Sequence, residues 1–289
     1  MARRTHSTRR KRHTVGRLLL LSTLIASGAV FFHWSNHSLQ VEEFTFLSQR
    51  LPEGFDGCRI VHLSDLHGAE FGENHSDLLA AIKAAQPDYI FISGDTLDRF
   101  RQTPHSYAVT LCAALTDIAP TYFVTGNHEW ATPDVRGLKE ALRAVGTVVL
   151  SNEYTVLERG GDRIFLAGID DPNGFADQKT PRELADELYA AQEDPFWLLL
   201  AHRNNYFTKQ YYQLGADLTF SGHAHGGMIR FPMTDGLIGS DRDLFPSYTA
   251  GFYEFDGANL FVSRGLGNSG PSFRLFNRPQ VAVVTLRRG

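Results

Sequence analysis

Only two cysteines, Cys58 and Cys112, occur in the 289 residues. They are too few for a disulfide framework and lack the paired spacing of a zinc finger, so both are expected as buried thiols. No acidic residue precedes Glu42, and no Lys or Arg lies between Arg17 and Arg50. Seven of the 28 Lys and Arg (Arg3, Arg4, Arg9, Arg10, Lys11, Arg12 and Arg17) fall in the first 17 residues, leaving 21 bases against 32 acids beyond them, a balance of −11. A body so poor in positive charge is not built to neutralise a phosphate backbone, and nucleic acid is not an expected partner. The chain also lacks a Gly-x-Ser-x-Gly elbow, a Walker loop and a dinucleotide fingerprint, which argues against serine hydrolases and P-loop enzymes. With 43% hydrophobic residues it is not disordered. Nor does a linker divide the roughly 250 residues after the leader, which suit one large α/β domain or two small ones.

What the leader does have is an apolar run at 18–32, flanked by Val15 and Trp34. The 20 residues from Val15 to Trp34 reach ~30 Å as a helix, the hydrocarbon thickness of a bilayer. The basic cluster is expected to stay cytoplasmic, which places 35–289 outside. The chain therefore divides into a basic cytoplasmic segment at 1–17, an anchor or signal sequence at 18–34, a connector and first-strand region at 35–58, and a folded body at 59–289. The preferred expectation is a single-pass membrane protein with an extracytoplasmic body. Export after cleavage is the alternative, because Ala26-Ser27-Gly28-Ala29 offers small residues for a peptidase. Arg9-Arg10 also permits a twin-arginine route, although Lys11-Arg12 follow where an apolar residue usually stands.

Short apolar runs at 60–63, 89–93, 122–125, 164–169, 196–201 and 218–221 read as strands buried on both faces. Segments 76–85, 106–118, 134–144 and 181–191 read as helices. Ligand sites in open α/β sheets lie beyond the carboxyl ends of strands, and polar clusters stand at these ends: Asp65-Leu66-His67, Gly94-Asp95-Thr96-Leu97-Asp98-Arg99, Gly126-Asn127-His128-Glu129, His202, and Gly222-His223-Ala224-His225-Gly226-Gly227. Residues two apart on an extended segment point the same way, so Asp65 with His67, and His223 with His225, can each close on one ion. The glycines before Asp95, Asn127 and His223 are expected to let the chain turn sharply. Asp65, His67, Asp95, Asn127, His202, His223 and His225 are too many donors for one ion with an open position and suit two that share a carboxylate. Oxygen and imidazole donors without thiolate favour Mn, Fe, Zn or a similar divalent metal. Such a centre attracts an anion and acidifies a bridging water.

These blocks, in this order, resemble the calcineurin-like metallophosphoesterase family, and the glycine-rich tail through Arg264 and Asn268 resembles its exported or membrane-bound bacterial branch. The resemblance implies a two-sheet α/β/β/α sandwich and makes 59–289 the metallophosphoesterase domain. It implies Asp65, His67 and His225 on one metal, Asn127, His202 and His223 on the other, and Asp95 between them. His128 would contact the substrate and assist the leaving group, with Asp98 as its outer partner. The implied activity is hydrolysis of a phosphate ester by hydroxide held between the ions. A phosphodiester or pyrophosphate of a lipid or cell-envelope substrate is the first expectation. A generic phosphomonoesterase, or a non-catalytic metal-binding member of the fold, are the alternatives. Ala224 stands where Thr is frequent, and Arg203 follows His202 where Pro is frequent.

Outside the blocks the expectations are ordinary ones. Arg264 and Asn268 either bind phosphate or shape a glycine-rich turn. Asp170-Asp171-Pro172-Asn173 ends an apolar run and reads as a turn, with a place facing the site as the alternative. His62 points away from the site, His75 and His105 are expected as solvated loop residues, and the apolar segment 228–245 is expected to pack as a hairpin on the body, with a rim for a lipid or other hydrophobic group as the alternative.

Overall fold

The computed structural model describes residues 5–175, 178–231, 235–239, 243–270 and 272–289, with side chains from Thr14 onward. Arg3 and Arg4 of the basic leader, and 232–234 and 240–242 of the apolar segment, lie outside the described residues. The expected apolar runs become strands: β2 is Arg59–Leu63, β3 Tyr89–Ile92, β4 Thr121–Phe123, β7 Asp162–Ile169, β8 Trp197–Arg203 and β9 Leu218–Gly222. The helical segments become α2 (Ser76–Ala84), α3 (His105–Thr116), α5 (Val135–Ala144) and α6 (Pro181–Ala191), with a single turn, α4 (Asn127–Trp130), between strand and helix. The start signals act as helix chemistry requires. Asp134 accepts the Gly137 N–H at 2.8 Å to open α5, and Thr180 and Glu183 cap α6 reciprocally with Pro181 in its first turn.

Strands at the edges and seams complete two six-stranded sheets: β1 (Gln40–Leu47), β5 (Val148–Val149), β6 (Glu153–Arg159), β10 (Gly251–Phe255), β11 (Ala258–Val262) and β12 (Gln280–Arg287). One sheet runs β1-β12-β2-β3-β4-β5 and the other β10-β11-β9-β8-β7-β6. The inner strands β2, β3, β4 and β5 are parallel, as are β11, β9, β8 and β7. Phe91, Phe220, Phe261, Leu198 and Ile60 fill the space between the sheets. A second core lies under α2, α3 and α5, and a third under α6, which gives the α/β/β/α layering. Parallel strands carry their carboxyl ends to one edge, so the polar clusters of both sheets meet there.

Helix α1 (Thr5–His37) precedes β1, and its stretch Thr14–His37, of mean hydropathy 1.9, is long and apolar enough to cross a membrane. Its apolar side chains are exposed, but Ser35 and Asn36 at its end are buried. Asn36 takes the Arg274 N–H at 2.8 Å and donates to the Arg274 carbonyl at 3.0 Å, so the helix is pinned to the body by paired bonds.

Cys58 and Cys112 are buried free thiols, as expected, and burial pushes the pKa of each up to about 12. His62 lies between the sheets against Phe220 and Phe261, its Nε2 2.8 Å from Ser93 Oγ. His75 corrects expectation: it is buried against Tyr107 rather than solvated, because the turn before α2 folds back under α3.

Candidate metal centre

Five donor-bearing positions, Asp65, His67, Asp95, His223 and His225, adopt a positive φ between 48° and 68°. Each costs on the order of 1 kcal/mol in a non-glycine residue, and such strain persists only where surrounding bonds enforce it. Here they do. Asp65 N–H donates to the Gly94 carbonyl at 3.0 Å and His67 N–H to the Asp95 carbonyl at 2.9 Å. The Asp65 carboxylate takes the His223 N–H, and Asp95 Oδ1 takes the His128 N–H at 2.8 Å. Loops from both sheets are thereby stitched into one floor.

Of the three glycines expected to turn the chain, only Gly94 has a left-handed backbone, at φ 92°. Gly222 serves a different purpose, since a Cβ there would lie 1.8 Å from Ser64 Oγ and 2.5 Å from Asp65 Oδ2. Gly126 likewise leaves room for Asp95, whose Oδ1 would be 2.3 Å from an added Cβ. Gly222→Ala is therefore expected to destabilise the fold by on the order of 1–3 kcal/mol and to lower bound metal. Thermal unfolding and elemental analysis indistinguishable from the parent would count against this tight fit.

The donors converge in three buried groups that could hold cations: Asp65, His67 and His225; His67, Asp95 and His128; and Asp95, His202 and His223. His67 Nε2 and His225 Nε2 stand 3.1 Å apart, and His202 Nε2 stands 3.1 Å from His223 Nδ1 and 3.2 Å from Asn127 Oδ1. Asp95 Oδ2 lies between the two clusters, 3.7 Å from His67 Nε2 and 3.3 Å from His202 Nε2. Burial pushes His67, His223 and His225 well toward the neutral imidazole, the form that ligates metal. His202 Nδ1 donates to the Ser93 carbonyl at 2.9 Å, which turns Nε2 toward the cluster, the usual arrangement for a metal-binding histidine. Burial opposes charge on this ring, but the Asp95 carboxylate beside it outweighs that and raises its pKa to about 10, so a cation would have to displace the Nε2 proton. The residues fit divalent cations by donor type, convergence and tautomer.

His128 sits at the rim of this floor. Its Nδ1 accepts the Arg99 N–H at 3.1 Å, so the proton of the neutral ring is on Nε2, 3.3 Å from Ser269 Oγ. Asp98 Oδ1 is 3.5 Å from Nδ1, and Asp98 also takes the N–H groups of Phe100 and Gly270. Burial lowers the His128 pKa.

Several supports have no local signal in the sequence. Glu129 is fully buried and its carboxylate gathers the N–H groups of Asp95, Leu97 and Gly126 at 2.8–2.9 Å. The segment at 170–173, for which a plain turn is the first expectation and a place facing the site the second, braces the site: Asp170 pairs with Lys139 at 2.6 Å, and buried Asp171 holds Arg203 at 2.7 Å. Arg274 is fully buried, with Nη2 3.4 Å from His225 Nδ1 and Nη1 on the Arg264 carbonyl. Arg264 itself pairs with Glu42 at 2.9 Å, and Asn268 bonds Asn36 and Arg274. Both frame the site from outside the cavity that opens above it. That cavity, of about 760 Å³, is lined by Asp95, Asn127, His128, His223 and His225, by Arg99 and Arg203, and by Phe100, Met228, Ile229, Ile238 and Phe273.

The model of the family described as calcineurin-like phosphoesterase matches residues 58–227, well over half of the chain. The chain belongs to the calcineurin-like phosphoesterase family. This phosphoesterase is 30% identical over 257 residues to the uncharacterized metallophosphoesterase YkuE of Bacillus subtilis, covering 87% of this chain and 86% of that protein. It is 29% identical to the phosphodiesterase YaeI of Escherichia coli, over 79% of this chain and 82% of that one. A transmembrane protein with metallophosphoesterase domain from Danio rerio matches at 30% identity across 96% of this chain and 63% of its own length. Among solved structures, the phosphoesterase shares its fold with the sulfate thiohydrolase SoxB of Thermus thermophilus, at a TM-score of 0.50 and 13% identity over 75% of this chain and 53% of that one.

Proposed function

We propose that this phosphoesterase hydrolyses a phosphodiester or pyrophosphate bond in a lipid or cell-envelope substrate, using two divalent cations, from a membrane anchor that places the body outside the cytoplasm. The observation that carries the reading is the composition of the cavity. Its floor is made of metal-type donors, and Phe100, Met228, Ile229, Ile238 and Phe273 join Arg99 and Arg203 around it. A diester or pyrophosphate has two organic or charged arms about the reacting phosphorus, and a wall of mixed character can seat both. The orientation rests on the basic leader, since positive residues flanking a span stay cytoplasmic.

In this reading Asp65, His67 and His225 would hold one cation, Asn127, His202 and His223 the other, and Asp95 would serve both. Bound there, the cations would neutralise phosphoryl charge and supply a nucleophile by acidifying water. The chain's own residues do the rest. Arg203, clamped by Asp171, keeps a fixed positive charge at the cavity wall for a phosphoryl oxygen. His128 presents its Nε2–H as a hydrogen-bond donor to the charge developing on the leaving oxygen, because its other nitrogen is committed to Arg99. Asp98 steadies the loop beside that ring by taking the Phe100 and Gly270 N–H groups, and Arg264 and Asn268 hold the frame behind it. YaeI, named a phosphodiesterase, supports the diester assignment by relation.

Turnover of bis(p-nitrophenyl) phosphate and of a lipid pyrophosphate should exceed that of p-nitrophenyl phosphate by at least about tenfold, a difference of ~1.4 kcal/mol in the barrier. Preference for the monoester would replace this reading with a generic phosphomonoesterase. Protease added to intact cells should reach the body. Protection until lysis would reverse the orientation.

A further inference from the structure

Beside the cavity the body exposes a group of large apolar side chains: Phe231 at 51%, Leu244 at 68%, Phe245 at 75%, Phe273 at 42% and Phe276 at 48%. They are continuous with α1. Phe31 meets Phe276 with ring centroids 4.8 Å apart, Phe32 meets Phe273 at 5.8 Å, and Phe276 meets Phe231 at 6.1 Å. Leu244 bridges Ile238, and the Phe245 N–H donates to the Leu237 carbonyl at 2.9 Å, which ties the tip of the group to the cavity wall.

Phe31 and Phe32 belong to the apolar stretch that can cross the membrane. Trp34 follows them with the Arg278 guanidinium 4.8 Å from its ring, an aromatic and a cation at the level where such pairs mark the bilayer interface. Phe32 lies only ~3 Å along the helix axis from Trp34. Whatever touches Phe31 and Phe32 therefore shares their depth. Phe273 does, and Phe273 also lines the cavity.

We infer that Phe231, Leu244, Phe245, Phe273 and Phe276 form a docking surface for the bilayer that holds α1, and that the cavity opens at the level of its lipid headgroups. The charges around the group are of both signs, Asp235 facing Arg230 at 3.9 Å, Asp243 exposed and Arg278 on Trp34, so adhesion rests on apolar area and not on anionic lipid or low salt. A substrate with an embedded tail then presents its phosphate to the donor floor without leaving the membrane. This catalytic consequence rests on the lipid reading proposed above, while the docking does not.

The test uses the full chain in nanodiscs of zwitterionic phosphatidylcholine. Cys58 and Cys112 are fully buried, so a cysteine introduced as Phe245→Cys takes an environment-sensitive fluorophore selectively. Its emission should be blue-shifted and quenched by lipid carrying a nitroxide near the headgroup, at high salt as at low. The same label at exposed Lys83→Cys on α2 should report water. Water-like, unquenched emission at position 245 would overturn the proposal. The double variant Leu244→Ser, Phe245→Ser should raise KM for a lipid phosphodiester in the nanodisc by about tenfold, with kcat and turnover of soluble bis(p-nitrophenyl) phosphate unchanged. An unchanged KM for a lipid that is hydrolysed would also count against the surface. A docked label without hydrolysis of any lipid would uphold the surface and discard the lipid substrate.

Discussion

His128→Ala should lose about 10²–10³ in turnover on a substrate with a poor leaving group, the range that a preorganised hydrogen-bond donor to developing negative charge supplies, while bound metal stays at its parental level. The reason is the tautomer. Arg99 N–H occupies Nδ1, so the proton sits at Nε2 on the cavity side, and burial keeps the ring neutral. The defect should shrink for a nitrophenyl diester, whose leaving oxygen needs little stabilisation. His225→Ala, by contrast, should lose metal and activity together whatever the leaving group. His128 also stands in one of the three donor groups, with His67 and Asp95. Elemental analysis of the variant therefore decides its role: an emptied site, or equal slowing of good and poor leaving groups, would end the leaving-group assignment.

Asp95→Asn should lower occupancy at both cation positions and reduce turnover by more than the roughly 10–100-fold typical of losing an outer partner. Its carboxylate lies within 4 Å of histidine nitrogens in both clusters, His67 at 3.7 Å and His202 at 3.3 Å. An amide has the same shape but no charge to set between two cations. Because Asp95 Oδ1 also takes the His128 N–H, the substitution should blur the leaving-group dependence as well. Asn127→Ala should deplete mainly one position. Elemental analysis of purified protein is the check, and a fully active Asp95→Asn, or a fully active enzyme holding a single tight ion, would refute the paired centre.

The family and the layered fold were legible because the inner strands are apolar on both faces and each ends in a polar cluster. The edge strands were not. β1 alternates half-buried and exposed residues and carries Glu42 and Glu43, and its neighbour β12, an inner strand, ends in no donor cluster, yet Gln40 pairs with Gln280 from the far end of the chain. Nothing local announces such a pairing. Arg203 was visible only as a departure after His202, and its meaning depends on Asp171, a residue from the neighbouring strand end.

By itself the sequence determined the inventory: which donors exist, their order, the apolar span with its basic flank, and the family, since metal chemistry and bilayer thickness both demand particular residue types at particular spacings. Only the tertiary structure decided the partnerships. It set the proton of His128, gathered three loop N–H groups on Glu129, buried Arg274 beside His225, and brought Phe32 against Phe273 at the cavity mouth. Those relations join residues far apart in the chain. They follow from how two sheets and one helix pack, which no local periodicity encodes.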